Sequence, residues 1–99
     1  MKFYVKEHEG VIAICDEDVL GKKFGDFFVS ERFYEGELVG LNEVKKILKE
    51  EVPFNLVGNE IIKIAISVGL LDEKSVVDVG GVKHGQVYYL WFWWSVLWS

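Results

Sequence analysis

The longest amphipathic stretch of the chain runs from Asn59 to Gly69 and predicts its core helix. The polar residues Asn59, Lys63 and Ser67 recur every four positions, so they form one narrow stripe on a helix. The remaining surface is almost entirely apolar. We therefore expect the helix to be covered on two sides and Ile64 to be fully buried. Asn59 is placed to cap the first turn and Gly69 to end the helix in a left-handed conformation.

Apolar runs on either side of this helix predict strands. Residues 54–58 follow Pro53, and residues 76–79 lie beyond the helix. A strand–helix–strand unit of this kind joins parallel strands, usually through a right-handed crossover.

The start of the chain predicts a β-hairpin. Residues 3–7 and 11–15 are strand-like, with the turn at 8–10. The run 11–15 is apolar on both faces, which is typical of a central strand. The other predicted elements before Pro53 are a helical turn over 16–20 closed by Gly21, a short strand over 27–30, a loop over 32–36 and a surface helix over 42–50 capped by Asn42.

These elements predict a single compact α+β domain over residues 1–99. It contains a mixed sheet with an N-terminal hairpin, a βαβ unit and at least two helices. The size and the 51% hydrophobic content suffice for one core. One cysteine excludes an internal disulfide and suits a reducing cytosol, and residues 2–6 carry no secretory signal, so we expect a cytoplasmic protein. The net charge of −5 confines any nucleic-acid binding to a local patch.

Cys15 and His84 are the candidates for catalytic chemistry. If folding brings them together, the imidazole favours the thiolate and Cys15 becomes a nucleophile. Asp16 is a third catalytic candidate, as a general base. Cys15 could also bind a metal together with His84, Asp16 or His8. The alternatives are a buried, inert thiol and a helix-capping role for Asp16; we expect no metal and no cofactor.

Two glycine-containing segments are candidates for anion binding. Segment 21–23 combines a permissive backbone with two ammonium groups, although it lacks the Walker pattern. Segment 80–86 has three glycines and several hydrogen-bond donors. The structural alternatives are a helix C-terminus with complementary lysines and a glycine-rich strand connection. The candidate ligand-binding residues are Gly21, Lys22, Lys23, Gly81, Lys83, His84 and Gln86.

Aromatic residues give two further candidates. Phe33 and Tyr34, next to Arg32, could stack on bases, or they could close the core over a loop. Residues 87–98 are uncharged, hold all four tryptophans and are too short to span a bilayer, so we expect no stable membrane insertion. The first half of this segment predicts a buried strand.

The remainder of this tail predicts self-association. A strand would leave large rings in water on one face, and monomers rarely expose large apolar patches. We therefore predict a homo-oligomer, as a dimer, with tryptophans as anchors. Contact with a membrane surface is the alternative, but no lysine or arginine follows Lys83 to attract anionic lipid. The candidate interface residues are Trp91, Trp93, Trp94 and Trp98.

Four separated segments carry a resemblance to a known family. They are residues 11–24, 29–37, 55–58 and 80–86, and they resemble an uncharacterised archaeal family, domain of unknown function family 424. Lys83 and Gly85 stand where the family pattern has proline and alanine, and the tail from Trp91 onward lies outside it. The resemblance implies an archaeal, cytosolic protein with no established activity, and suggests a link to RNA or translation.

The leading functional hypothesis is a non-enzymatic binding module. In it, the lysines, histidine and glutamine of segments 21–23 and 80–86 form one anion-facing surface for RNA or a translation component. One alternative is a small enzyme that uses Cys15 and His84. The other is an interaction or oligomerisation module that acts through the aromatic tail.

Overall fold

A computed structural model describes residues 1–88, which form a six-stranded sheet, a two-stranded sheet and three α-helices. The elements in chain order are β1 (Lys2–His8), β2 (Val11–Asp16), β3 (Lys23–Phe24), β4 (Phe27–Phe28), α1 (Glu31–Tyr34), β5 (Glu37–Gly40), α2 (Leu41–Ile47), β6 (Phe54–Val57), α3 (Asn59–Ser67), β7 (Val77–Val79) and β8 (Val82–Val87). The large sheet has the strand order β5-β1-β2-β6-β8-β7, and β3 pairs with β4. Within residues 1–88, no helix has the length and apolar character needed to cross a membrane.

The predicted N-terminal hairpin is confirmed. β1 pairs antiparallel with β2, from Phe3 opposite Asp16 to His8 opposite Val11. Gly10 in the turn has a φ of 82°, a conformation that glycine adopts freely. The other edge of β2 pairs in parallel with β6, and β2 is buried from Ile12 to Asp16. β2 is therefore a central strand covered on both faces, as its apolar pattern predicts.

β6, α3 and β7 form the predicted βαβ unit, but another strand lies between β6 and β7. β8 pairs antiparallel with both of them, so β6 and β7 run in the same direction without being neighbours. β8 occupies the inner position, and Val82, Gly85 and Val87 are buried along it. β7 lies at the edge, where Val77 is exposed. The sheet is therefore mixed and the α+β class is confirmed.

Two clusters of buried side chains lie on opposite faces of the sheet. One contains Phe3, Ile14 and Leu56 of the strands, packed with residues of α2 and α3. The other contains Ala13, Cys15 and Val57, covered by Tyr34 of α1 and by Phe24 and Phe27 of the β3–β4 hairpin. The small elements α1, β3 and β4 thus cover the face opposite to α3.

α3 is buried on one side only. Ile61, Ile62 and Ala65 are buried, whereas Ile64 and Ile66 are partly buried. At about 100° per residue, Ile64 and Ile66 lie on the two flanks of the buried stripe. The prediction that Ile64 is fully buried is wrong, because only the sheet side of the helix is fully covered.

The ends of the helices correct two predicted caps. α3 has Gly58 at its N-cap position and Asn59 as its first residue, and the Asn59 side chain instead accepts a hydrogen bond from the Lys83 amide at 3.1 Å. α2 follows Gly40, so Asn42 lies inside its first turn. The predicted left-handed end of α3 is confirmed by the φ of 81° at Gly69.

Shorter elements differ from prediction in their bounds. The predicted loop over 32–36 contains α1, which Ser30 caps by accepting a hydrogen bond from the Phe33 amide. The predicted strand over 27–30 is only two residues long. The helical turn after β2 is a 3-10 turn over Glu17–Val19, and Gly21 follows with a φ of 78°. The predicted strand from Val87 onward begins where β8 ends and otherwise lies outside the described residues.

Candidate functional site

Asp16, at the end of β2, holds the start of α3. Its side chain is 3% exposed, and its two carboxylate oxygens accept hydrogen bonds from the amides of Glu60 and Ile61, each at 2.9 Å. Burial raises the pKa of Asp16, and these two hydrogen bonds oppose that rise. Asp16 does cap a helix, but that helix is α3 rather than the turn that follows Asp16. Both carboxylate oxygens thus accept hydrogen bonds that hold α3, so Asp16 is not placed as a free general base.

Gly58 makes this cap sterically feasible. Its φ is 125°, and a Cβ atom added there would lie 2.6 Å from Asp16 Oδ2. Real Cβ atoms do not approach a carboxylate so closely, and a side chain at this φ is strained. The junction between β6 and α3 therefore requires glycine because the Asp16 carboxylate lies against its backbone.

Cys15 is buried, and its thiol is poorly reactive. The residue has no exposed surface. Burial raises the pKa of the thiol to about 12, and the neighbouring Asp16 charge adds to the rise. A thiol with this pKa is almost entirely protonated at neutral pH, so it is a poor nucleophile.

His84 lies on the same face of the sheet as Cys15, but one strand separates them. Cys15 is opposite Val57 of β6, and Val57 is opposite His84 of β8. Two strand spacings place the Cα atoms about 10 Å apart. Within residues 1–88, the His84 ring nitrogen bonds to Asn55 rather than to the thiol. The described residues therefore do not form the thiol–imidazole pair that the enzyme alternative requires.

Asn55 connects His84 to Tyr34. Asn55 Oδ1 accepts a hydrogen bond from the Tyr34 hydroxyl at 2.6 Å and lies 3.1 Å from His84 Nε2. Burial raises the pKa of Tyr34, so its hydroxyl stays protonated and donates. Burial lowers the pKa of His84, which keeps the imidazole neutral near pH 7. The Phe27 ring is tilted against His84 with a centroid separation of 5.2 Å. α1 and the β3–β4 hairpin thus flank a half-buried polar pair on the sheet, which consists of Asn55 and His84.

The two predicted anion-binding segments meet at one end of the sheet. The turn between β7 and β8 packs on the turn between β3 and β4, since a Cβ atom added at Gly80 would lie 2.6 Å from the Gly25 nitrogen. Lys22 and Gly81 line the same pocket, which has a volume of about 340 Å³. Asp16, Asp18 and Glu60 also line this pocket, so carboxylates outnumber the one lysine in its lining.

The remaining predicted ligand-binding residues do not share one surface. Neighbouring residues of a strand point to opposite faces, so Lys83 is on the α3 side while His84 and Gln86 are on the other. Lys83 lines a pocket with Glu73 and Ile66 on the α3 side. Lys23 and Gln86 are exposed. The predicted ligand loop over 80–86 is a hairpin turn followed by strand β8, in agreement with the structural alternative for this segment.

The aromatic residues of α1 cover the sheet. Phe33 stacks on His8 with ring centroids 4.4 Å apart, and His8 Nε2 donates to the Phe33 carbonyl at 2.8 Å. Tyr34 is 3% exposed and bonded to Asn55, so it offers no open ring face, and Arg32 is exposed. Phe33 and Tyr34 therefore close the core, as the second alternative predicts.

Sequence reasoning missed Asn55, and with it the polar pair. The available signal is its residue type, because asparagine is disfavoured in strands and interrupts an otherwise apolar run after Pro53. Its partner Tyr34 comes from a helix that the sequence predicts as a loop. Within residues 1–88, no three His, Cys, Asp or Glu side chains form a group that could hold a metal ion. The predicted interface residues Trp91, Trp93, Trp94 and Trp98 lie outside the described residues.

Comparison with known proteins places the chain in a family. None of the curated proteins compared has a significant match. Among solved structures, an uncharacterized conserved protein from Methanopyrus kandleri is similar, with a TM-score of 0.74 and 28% sequence identity over 89% of this chain and 91% of that chain. The sequence profile of the family "Protein of unknown function (DUF424)" matches residues 4–90, which leaves most of the tryptophan-rich tail outside the match. The chain therefore belongs to the DUF424 family.

Proposed function

We propose that this protein is a non-enzymatic binding module of the archaeal cytoplasm that recognises RNA, alone or within the translation machinery. The observation that carries the proposal is the convergence of two segments far apart in sequence. Lys22 and Gly81 line the same pocket, and Gly80 packs against Phe24 and Gly25, which follow Lys23 in the chain. The ammonium groups of the exposed Lys22 and Lys23 suit phosphate oxygens, whereas the carboxylates that line the pocket itself repel them.

The inert thiol favours binding over catalysis. Cys15 is fully buried with a raised pKa, and the described residues provide it with no activating partner. His84 and Gln86 are instead on a sheet face that reaches solvent, where they can form hydrogen bonds to a ligand.

Charge gives the proposal a direct test. The net charge of −5 repels nucleic acid, so a local patch must supply the attraction, and binding should weaken steeply with salt. We would measure retention of structured RNA on filters at low and moderate salt. The test variant is Lys22→Glu with Lys23→Glu. The matched control is Lys45→Glu with Lys46→Glu, which makes the same charge change at exposed positions of α2.

We expect the Lys22/Lys23 variant to lose at least about tenfold in affinity, a loss of about 1.4 kcal/mol or more. The slope of log K against log salt should become shallower by about 0.7–0.9 for each phosphate that the two lysines neutralise in the parent. The α2 control variant should bind RNA with an affinity close to that of the parent, apart from the loss that the same change in net charge causes at any position. An absence of RNA retention at low salt, or equal losses in the two double variants, contradicts the proposal.

We also propose that the protein self-associates as a dimer through its tail. β8 ends at Val87, and Tyr88, the last described residue, is 48% exposed and lies at the molecular surface. The segment 91–98 then brings four tryptophans into eight positions. Tryptophan is enriched among the residues that contribute most of the binding energy at protein interfaces. Large exposed apolar patches are rare on monomers, so burial of these side chains against a second copy is favoured over their exposure to water.

A further inference from the structure

We propose that Asn55 and His84 recognise the Watson–Crick edge of an unpaired base, as the base-reading part of the RNA site. This inference rests on the proposed function and assigns the ligand of the polar pair. Asn55 Oδ1 accepts from the Tyr34 hydroxyl at 2.6 Å and lies 3.1 Å from His84 Nε2. Because an amide oxygen is only an acceptor, Nε2 carries the hydrogen and donates it. His84 Nδ1 therefore keeps its lone pair.

Two polar atoms remain available for a ligand. Asn55 Nδ2 has two hydrogens to donate and His84 Nδ1 can accept, and neither bonds to another group within residues 1–88. In the same part of the chain, every buried side-chain nitrogen or oxygen has a partner. Asn55 and His84 are each partly exposed. The structure thus holds a donor and an acceptor on two adjacent, partly exposed side chains, and the Tyr34 hydroxyl fixes the orientation of the amide.

The surroundings suit a base rather than a charged group. The side chains of β6 and β8 on this face carry no carboxylate; they are Asn55, Val57, Val82, His84 and Gln86. The Phe27 ring contacts His84 and is itself partly exposed, so it supplies an aromatic surface beside the hydrogen-bonding atoms. Each base presents adjacent donors and acceptors on its Watson–Crick edge and a flat face for aromatic contact.

The same hairpin connects base recognition to phosphate binding. Phe27 in β4 is opposite Phe24 in β3, and the residue before Phe24 is the exposed Lys23. A nucleotide whose base reaches Asn55 and His84 would therefore have a lysine on the element that flanks the base. Duplex RNA hides the Watson–Crick edges of its bases, so the site should prefer single strands.

The test compares a short single-stranded RNA with the same strand annealed to its complement, at one fixed salt concentration. We expect the parent to bind the single strand about tenfold more tightly, since a duplex cannot form one or two of the hydrogen bonds to the base. His84→Phe keeps an aromatic ring against Phe27 but removes both nitrogens, and it should bring the two affinities close to equality. His8→Phe is the matched control, because it changes the other histidine, and it should leave the preference intact.

A second readout uses the parent protein alone. Nitrogen NMR of the imidazole should show a shift of His84 Nδ1 when single-stranded RNA is added and none with the duplex. Protonation places a hydrogen on Nδ1 and removes the acceptor, so the preference should also disappear well below pH 6.5, since burial lowers the pKa of His84 from that value.

The outcomes separate this inference from the proposed function. If the parent binds no RNA, both fail. If the parent binds duplex and single strand equally, or if His84→Phe keeps the preference and Nδ1 does not shift, only the inference fails. The Lys22/Lys23 double variant should weaken both forms by a similar factor, because phosphate contacts carry no information about base pairing.

Discussion

The Asp16 carboxylate accepts the amide hydrogen of Ile61 at 2.9 Å, across forty-five positions of the sequence. The second carboxylate oxygen accepts the amide of Glu60, so one side chain at the end of β2 satisfies two of the four free amides at the start of α3. A negative charge also suits the positive end of the helix dipole. This contact fixes α3 to the carboxyl end of the central parallel strand pair, at the end of the sheet where the pocket lined by Lys22 and Gly81 lies.

Loss of this cap should destabilise the whole domain. Asp16→Ala leaves the buried Ile61 amide and the partly buried Glu60 amide without their acceptor, and we expect the free energy of unfolding to fall by about 2–3 kcal/mol. Denaturant titration followed by circular dichroism measures this. Asp18→Ala is the control, since Asp18 is an exposed carboxylate two residues away, and it should change stability by less than about 0.5 kcal/mol. Equal effects of the two substitutions would show that Asp16 acts only through its charge.

Gly58 should be equally intolerant of change. Gly58→Ala places a methyl group against the Asp16 carboxylate at a φ of 125°, so we expect a loss of at least about 2 kcal/mol. Gly40→Ala is the control, because Gly40 has open space for a Cβ atom and an ordinary φ of −91°. That variant should cost no more than about 1 kcal/mol, since only the preference for glycine at a helix cap is lost. Thermal or denaturant melts of the two variants give the comparison, and equal losses would contradict the steric role of Gly58.

The contrast between Asp16 and Asn59 shows what local sequence can predict. The hairpin, the central strand and α3 follow from periodicity, because each depends on neighbouring residues. The cap of α3 does not, since its acceptor oxygens come from another strand and Asn59 is only the most suitable residue nearby. Asn55 shows the same limit. Its residue type is a weak signal in the sequence, but its role depends on hydrogen bonds with Tyr34 and His84, which only folding brings together.

Cys15 should resist alkylation in the folded protein. The thiol is fully buried and its pKa is raised to about 12, so it lacks both access and thiolate character. We expect no labelling by iodoacetamide at pH 8 under native conditions, and stoichiometric labelling once denaturant unfolds the chain. Mass spectrometry follows both states. Native labelling at the rate of an exposed cysteine would reopen the enzyme alternative.

The stability of the protein should fall on acidification through the titration of His84. Burial lowers the pKa of His84 below its ordinary value of 6.5, so between those two values the unfolded state binds more protons than the folded state. The free energy of unfolding contributed by His84 is therefore complete above about pH 6.5 and is lost as the pH falls toward the folded pKa. His84→Phe should remove this part of the pH dependence, and His8→Phe should retain it. Urea titrations at a series of pH values supply the comparison, and parallel pH profiles for the parent and His84→Phe would contradict the assignment.

The tail provides the prediction on oligomeric state. If tryptophans anchor a dimer, deletion of residues 91–99 should give a smaller species in sedimentation velocity than the full chain at the same concentration. Replacing Trp91, Trp93, Trp94 and Trp98 with serine in the full chain should have the same effect, because it removes the aromatic anchors and keeps the length. If the serine variant still forms a dimer, the association depends on other residues. If the full chain sediments as a monomer even at high micromolar concentration, the tail is not a self-association interface, and contact with a membrane surface becomes the hypothesis to test with lipid vesicles.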